Sequence, residues 1–235
     1  MKPVTANNQA AIVASLIGDS SRSAILTVML DGRYHAAGEL AQMAGIQPQT
    51  ASFHLAKLTE AGLVVVEKQG RHRYYGIGNP EVAQVMESLL SIAPPAAIKS
   101  LRQANEDQAL RYARTCYDHL AGTLGVRLTH CLVRDGMLRE GTARFEVTEK
   151  GTAFFERFGI DLLQVLRKRR SFSHKCLDWS ERRHHLAGSL GNALLERLIE
   201  LGWVERLPHN RAVRITAKGQ AGLKDTFSLD MEHQV

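Results

Sequence analysis

The sequence predicts a mainly α-helical fold with small β-hairpins, of the α+β class, built as one helix-turn-helix unit with a hairpin and then two degenerate copies of a similar unit. Three observations predict it. Residues 35–64, "HAAGELAQMAGIQPQTASFHLAKLTEAGLV", hold two amphipathic runs separated by a short Gly/Pro-containing turn. Residues 63–78, "LVVVEKQGRHRYYGIG", are two β-rich runs around a turn. The septet "HLAGTLG" at 119–125 returns as "HLAGSLG" at 185–191.

The elements follow in order. Residues 7–18, "NNQAAIVASLIG", read as a short helix. Residues 20–31 read as a second, with Ser20 or Ser21 as N-cap and Ile25, Leu26, Met29 and Leu30 on one face. Ala37, Leu40, Ala41 and Ala44 mark a third helix, ended by Gly45. Pro48 suits the first turn of a fourth, running to about Ala61, with Ala51, Leu55 and Leu58 as its buried face and Gly62 as its stop. Strands at Leu63–Lys68 and His72–Ile77 flank "QGR", giving a hairpin with Lys68, Arg71 and Arg73 at its tip. A helix-turn-helix followed by a basic hairpin is a winged helix. Residues Asn79–Ile92 read as a further amphipathic helix.

"ELAQMAGIQPQTASFHLAKLTEAGLV" followed by "QGRHRYYGIG" resembles the ArsR family of winged-helix repressors over about residues 8–92. The resemblance implies a homodimeric DNA-binding regulator, with the helices Asn7–Gly18 and Asn79–Ile92 forming the dimer. It places Gln47, Gln49, Thr50, Ser52, Phe53, His54 and Lys57 on the face that enters the major groove. Gln49 suits bidentate pairing with adenine, and Phe53 suits a thymine methyl. Thr50, Ser52 and Lys57 suit phosphates, and Lys68, Arg71 and Arg73 suit the backbone or a minor groove. Two-fold symmetry implies a near-palindromic double-stranded operator. The chain departs from the family's metal-sensing members: there is no cysteine in the first 95 residues, and no histidine in "PEVAQVMESLL".

Charge alone does not identify the partner of this half. Residues 1–95 carry seven basic and seven acidic side chains, so the net charge of +6 belongs to the remainder. Pro94–Pro95 marks a domain boundary, giving a DNA-binding and dimerisation domain at 1–95 and a sensor or structural domain at 96–235. Within the second, repeats of about 116–161 and 176–230 align Gly136 with Gly202 and "VTEKG" (147–151) with "ITAKG" (215–219). Each has the order helix, Gly, strand, turn, strand, "T-x-K-G", helix. Neither shows a convincing exposed recognition helix, so sensing, dimerising or bracing is expected of them. Gln103–Leu120 reads as one helix, and the basic strip of Arg167, Lys168, Arg169, Arg170, Lys175, Arg182 and Arg183 as a solvated linker face or, alternatively, an extra phosphate-binding strip.

Cys116 and His119, three apart, would share a face of that helix. Cys176 and His185 hold the corresponding place in the second repeat. Four readings stand open. The residues are structural; or the four converge on a thiophilic metal such as zinc, with Asp118, Asp178 and His184 as substitutes; or the thiols are redox sensors; or Tyr117 and Trp179 line a pocket for a small-molecule effector. Without a metal there is no cofactor to expect. Cys131 has Arg197 in its repeat position and reads as core.

Three function classes compete. The leading one is a transcriptional regulator, a repressor released by a signal sensed in the C-terminal half. A protein-interaction scaffold and an enzyme with a vestigial winged helix are the alternatives. Against the enzyme, there is no phosphate loop, nucleophile elbow or "H-E-x-x-H". No apolar run spans a bilayer and the start lacks a secretory signal, so a cytoplasmic protein without a membrane partner is expected.

Overall fold

The computed structural model describes residues 8–94, 100–208 and 210–231. The chain forms two compact units that divide between Met86 and Glu87, ahead of the boundary expected at Pro94–Pro95; Pro95 lies outside the described residues. Among the described residues no single helix is long and apolar enough to cross a membrane.

The first unit begins with α1 (Asn8–Ile17) and α2 (Ser20–Val28), the latter running into a 3-10 turn at Met29–Asp31. Asn7, expected to open α1, lies outside the described residues. The N-cap of α2 is Asp19, not Ser20 or Ser21: its carboxylate accepts a hydrogen bond from Arg22 N at 3.0 Å. An ionised acceptor at the positive end of a helix outcompetes a hydroxyl one residue later. Strand β1 (His35–Ala36) leads into α3 (Ala37–Met43) and α4 (Pro48–Glu60). Gly45 and Gly62 follow these helices at φ of +67° and +71°, the left-handed conformation that ends a helix at little cost for glycine. Ala51, Leu55 and Leu58 of α4 are fully buried, as are Ile25, Leu26, Met29, Leu30 and Leu40, and α4 packs on α2 and α3.

The wing is β2 (Val64–Gln69) paired antiparallel with β3 (His72–Ile77) around the two-residue turn Gly70–Arg71. The short β1 adds to the outer side of β3, giving a sheet of order β1-β3-β2, a third strand that two residues of sequence did not announce. Helix α5 (Pro80–Ile92) follows, with Asn79 Oδ1 accepting from Val82 N at 2.9 Å.

The second unit runs one order of elements twice. After α6 (Leu101–Tyr112) come β4 (Arg114–Cys116), β5 (His119–Ala121), α7 (Gly122–Arg134), β6 (Leu138–Glu140), β7 (Phe145–Val147) and α8 (Glu149–Arg157). After α9 (Leu162–Leu166) come β8 (Lys175–Leu177), β9 (His184–Leu186), α10 (Gly188–Glu200), β10 (Val204–Arg206), β11 (Val213–Ile215) and α11 (Ala217–Phe227). Thr148 and Thr216 cap α8 and α11 through their hydroxyls, each accepting from the glycine N–H three residues on at 2.9 Å.

The single helix expected at Gln103–Leu120 is not formed. It stops at Tyr112, and the chain turns back at Tyr117, whose φ is +60°. Tertiary pairing overrides helix propensity here. Thr115 N donates to Arg211 O at 2.8 Å and Val213 N to Ala113 O at 2.8 Å, which holds the segment extended.

The two copies interlock reciprocally. The strand before the first septet bridges the second copy's hairpin at Arg114 and Ala212. The strand before the second septet bridges the first copy's hairpin at His174 and Arg144. Hairpin β4–β5 lies against α10, and β8–β9 against α7. Leu186 N donates to Thr129 Oγ1 on α7, while Asn192 Nδ2 on α10 donates to Asp118 O. One continuous core fills the space between, from Leu120, Leu124 and Leu128 in the first copy to Leu186, Leu190 and Leu194 in the second. Phe154, Phe155, Phe158, Trp203 and Phe227 close it with edge-on and stacked ring contacts.

The septet's glycines have a packing reason. Gly122 and Gly188 sit at φ of +75° and +80°. A Cβ on Gly125 would lie 2.5 Å from Leu120 O, and one on Gly191 2.5 Å from Leu186 O. Each helix start therefore needs one glycine for its turn and one for close approach to the strand.

Candidate DNA interface and a cysteine–histidine cluster

Helix α4 buries one stripe and exposes the rest. Gln47, Gln49, Ser52, Phe53 and Lys57 are exposed, and Thr50 is half-buried. Phe53 is 57% exposed, with Lys57 Nζ 4.3 Å from its ring centre. Ser52 Oγ donates to Pro48 O at 3.0 Å and so helps hold the first turn.

His54 is a correction. It was expected on the reading face, but it is only 8% exposed. Three residues after Ala51 and four before Leu58, it shares their stripe, and its Nε2 lies 3.9 Å from Asp19 Oδ1 on α2.

On the wing, Lys68 stands directly across from Arg73, with Arg71 in the turn, and all three are exposed. Like charges paired across two strands repel. Among the described residues no ion pair uses Lys57, Lys68, Arg71 or Arg73. An anion bound at this tip would relieve the repulsion.

The second unit brings together the four residues that sequence spacing could only suggest. Cys116, His119, Cys176 and His185 each offer one ligand atom, and these atoms all lie within 4.8 Å of one another. The manner differs from expectation. Cys116 and His119 do not share a helix face; they are a cross-strand pair of β4–β5, as Cys176 and His185 are of β8–β9. Directly opposed residues on neighbouring strands point the same way, so each hairpin offers one sulfur and one imidazole together. The two sulfurs are 3.8 Å apart and the two Nε2 atoms 3.1 Å. Cys116, His119 and His185 are buried, and Cys176 is half-buried.

A charged outer layer surrounds the cluster. Asp118 Oδ1 lies 3.4 Å from His119 Nδ1, and Asp178 Oδ2 lies 3.9 Å from His185 Nδ1. Arg170 pairs with Asp118, and Arg114 with Asp178 at 2.8 Å. Burial works to raise Asp118, but His119 and Arg170 outweigh it and hold its carboxyl at about 2. Asp178 is likewise held low, its burial outweighed by Arg114 and by the hydroxyl and amides of Ser180 and Glu181. The Cys176 side chain and burial push the Cys116 thiol well up, and burial and the neighbouring His119 hold His185 neutral. Asp118 and Asp178, considered as substitute ligands, thus stand behind the histidines. His184 is exposed and faces elsewhere. Arg114, Arg170 and Thr129 complete the setting, and no motif spacing marked them.

A cavity of about 290 Å³ in this unit is lined by Val126, Thr129, His130, Phe145, Arg183 and His184 among others, and by neither Tyr117 nor Trp179. Trp179 instead stacks under Arg114, 4.4 Å from its guanidinium carbon. Cys131 is buried on α7 and belongs to the core.

A family model described as a helix-turn-helix domain matches residues 17–67. The curated protein "Uncharacterized HTH-type transcriptional regulator YdfF" of Bacillus subtilis (strain 168) is 55% identical over 214 residues, covering 91% of this chain and 95% of its own length. A second from the same organism, "Uncharacterized HTH-type transcriptional regulator YceK", is 36% identical over 62 residues, 26% of this chain and 62% of its own. Among solved structures, NolR from Sinorhizobium fredii is 26% identical, with a TM-score of 0.37, over 41% of this chain and 100% of its own. HlyU from Vibrio cholerae N16961 is 26% identical, with a TM-score of 0.34, over 37% of this chain and 94% of its own. On the near-complete likeness to the first relative and the helix-turn-helix at residues 17–67, the chain belongs to the HTH-type transcriptional regulators, with a winged helix-turn-helix as its first unit.

Proposed function

We propose that this DNA-binding transcriptional regulator acts as a homodimeric repressor. It binds a near-palindromic operator and is released by a signal sensed in the C-terminal half: a small ligand, a metal or a thiol modification. The observation that carries the reading is the exposed face of α4, Gln47, Gln49, Ser52, Phe53 and Lys57, beside a wing whose three cations have no ion-pair partner among the described residues. Gln49 reads an adenine edge, Phe53 packs on a thymine methyl, and Lys57, Lys68, Arg71 and Arg73 hold phosphates. Dimerisation is supported by the apolar side chains that α1 and α5 leave in water: Ile12 and Val13 on the first, Val85, Leu89 and Ile92 on the second. A second copy of the chain is the occupant that a two-fold operator requires. Repression then acts in the cytoplasm by occupying a promoter, and an effector that prefers the DNA-incompetent dimer weakens it.

Gel retardation with DNA from upstream of the coding sequence tests this. The wild-type chain is expected to shift the fragment as a dimer, and the Gln49→Ala, Arg73→Ala double variant to lose the shift. Undiminished binding by the double variant would overturn the reading surface.

A further inference from the structure

We propose that the interface between the two repeats is a four-coordinate metal site, Cys116, His119, Cys176 and His185, for a thiophilic divalent cation of the zinc class. The site is independent of which DNA the first unit binds.

Its sulfur–sulfur and nitrogen–nitrogen spacings are those of a coordination shell. Zinc held tetrahedrally takes sulfur at about 2.3 Å and imidazole nitrogen at about 2.0–2.1 Å, which places sulfurs about 3.8 Å apart and nitrogens about 3.3 Å apart. The structure has 3.8 Å between sulfurs and 3.1 Å between Nε2 atoms. A thiol pair alone would need neither histidine. Two buried imidazoles meeting nitrogen to nitrogen can share one proton at most, and a cation seated between them uses both lone pairs.

The donor set selects the ion. Two thiolates and two imidazoles suit zinc and its soft neighbours, whereas magnesium and calcium require oxygen. The four ligands fill a tetrahedron, as in closed structural sites rather than catalytic ones, which keep a position open.

The outer layer fits as well. Each histidine turns Nε2 inward and Nδ1 toward a carboxylate, Asp118 in the first copy and Asp178 in the second. Each carboxylate is in turn paired with an arginine, Arg170 or Arg114. A carboxylate behind a ligating imidazole fixes its tautomer and strengthens it as a donor. Both Asp residues stand two positions after the cysteine of their own copy, so ligands and supports are both supplied symmetrically. His185 Nδ1 is buried without a hydrogen-bond partner, and a bound ion at Nε2 would draw its N–H toward Asp178. Half-exposed Cys176 gives an ion its way in.

The test is cobalt(II) titration of the full-length chain, purified under reducing conditions, stripped with chelator and kept free of oxygen. One equivalent should produce the intense visible bands of tetrahedral cobalt and a sulfur-to-cobalt charge-transfer band, both bleached by zinc. Cys176→Ser and His185→Gln should weaken binding by about tenfold or more, and Cys131→Ser should leave it unchanged. Should the variants fail to fold, the wild-type chain still decides. Zinc should shield Cys116 and Cys176 from a thiol reagent without changing Cys131. Weak octahedral bands, equal reactivity of the thiols with and without zinc, or a Cys116–Cys176 disulfide in place of bound metal would overturn the proposal.

Discussion

His119 and His185 present their Nε2 atoms to each other at 3.1 Å, one imidazole from each copy of the repeated unit. The contact lies at the centre of a reciprocal exchange in which each copy's first hairpin packs on the other copy's helix. A repeat built this way cannot bury its apolar face alone, so the copies fold as one. The same exchange determines where mutations should do most damage.

Arg114 and Asp178 form the most buried ion pair among the described residues, at 1% and 0% side-chain exposure. Asp178 also accepts from Gly122 N at 2.7 Å, so one carboxylate ties the second hairpin to the start of α7. Removing one partner leaves the other charge buried and unpaired. Arg114→Ala or Asp178→Ala should each cost about 3–5 kcal/mol in chemical denaturation of the second unit. The double variant Arg114→Ala, Asp178→Ala should cost less than the sum of the two. Additive losses would show that the pair is not coupled.

The DNA residues should separate by kind. Gln49→Ala should lose about 1–3 kcal/mol at the operator and relax preference at one base position. Arg73→Ala should weaken all sequences alike and lower the salt slope of binding by about 1. His54→Ala should lower the melting temperature of the first unit without changing base preference, since the ring is buried. Fluorescence anisotropy with matched and single-mismatch duplexes at several salt concentrations distinguishes these outcomes; a uniform effect of Gln49→Ala on every duplex would remove it from base reading.

Asp31 gives the first unit a pH dependence. It is 2% exposed and bonded to Arg33 Nε at 2.6 Å and His35 Nε2 at 3.0 Å. Burial would raise its pKa, but these partners outweigh it and lower the value below the ordinary 3.8. A carboxyl depressed in the folded state contributes stability above its unfolded pKa, and that contribution is lost as pH falls through the folded value. Asp31→Asn should therefore be less stable than wild type at neutral pH, with the gap closing below about pH 4. A gap that stays constant with pH would show that the charge contributes nothing.

The "T-x-K-G" glycines should tolerate substitution worse than the turn glycines. A Cβ on Gly219 would overlap the Trp203 carbonyl, and one on Gly151 the Met137 carbonyl. Gly202, at φ of +67°, has open space around it. Gly202→Ala should cost about 1–2 kcal/mol of backbone strain. Gly219→Ala should cost more, because a backbone carbonyl held in a helix cap cannot move aside. Thermal melts of the two variants in parallel would reverse this order if close packing were not the cause.

Much of the first unit was legible in the sequence because its signals are local. Gly45, Pro48 and Gly62 mark helix ends, and the stripe of Ala51, Leu55 and Leu58 has the helical period. His54 is polar and so reads as exposed, yet it lies on that buried stripe with Asp19 near its ring. The repeat was legible as well, but its geometry was not. "RYARTCYDHL" has helix formers throughout, yet it turns back at Tyr117 because residues 211–213 of the other copy pair with it. A contact about 100 residues away leaves no trace in a local period. Spacing therefore groups the four Cys and His side chains, while the reason they meet, cross-strand pairing in two hairpins, is beyond what spacing shows.

The most direct measurement of the metal centre is zinc-edge X-ray absorption on the full-length chain loaded with one equivalent of zinc. The account predicts two sulfur scatterers at about 2.3 Å and two imidazole nitrogens at about 2.0–2.1 Å. A shell of oxygen and nitrogen without sulfur, or with more than two sulfurs, would contradict it.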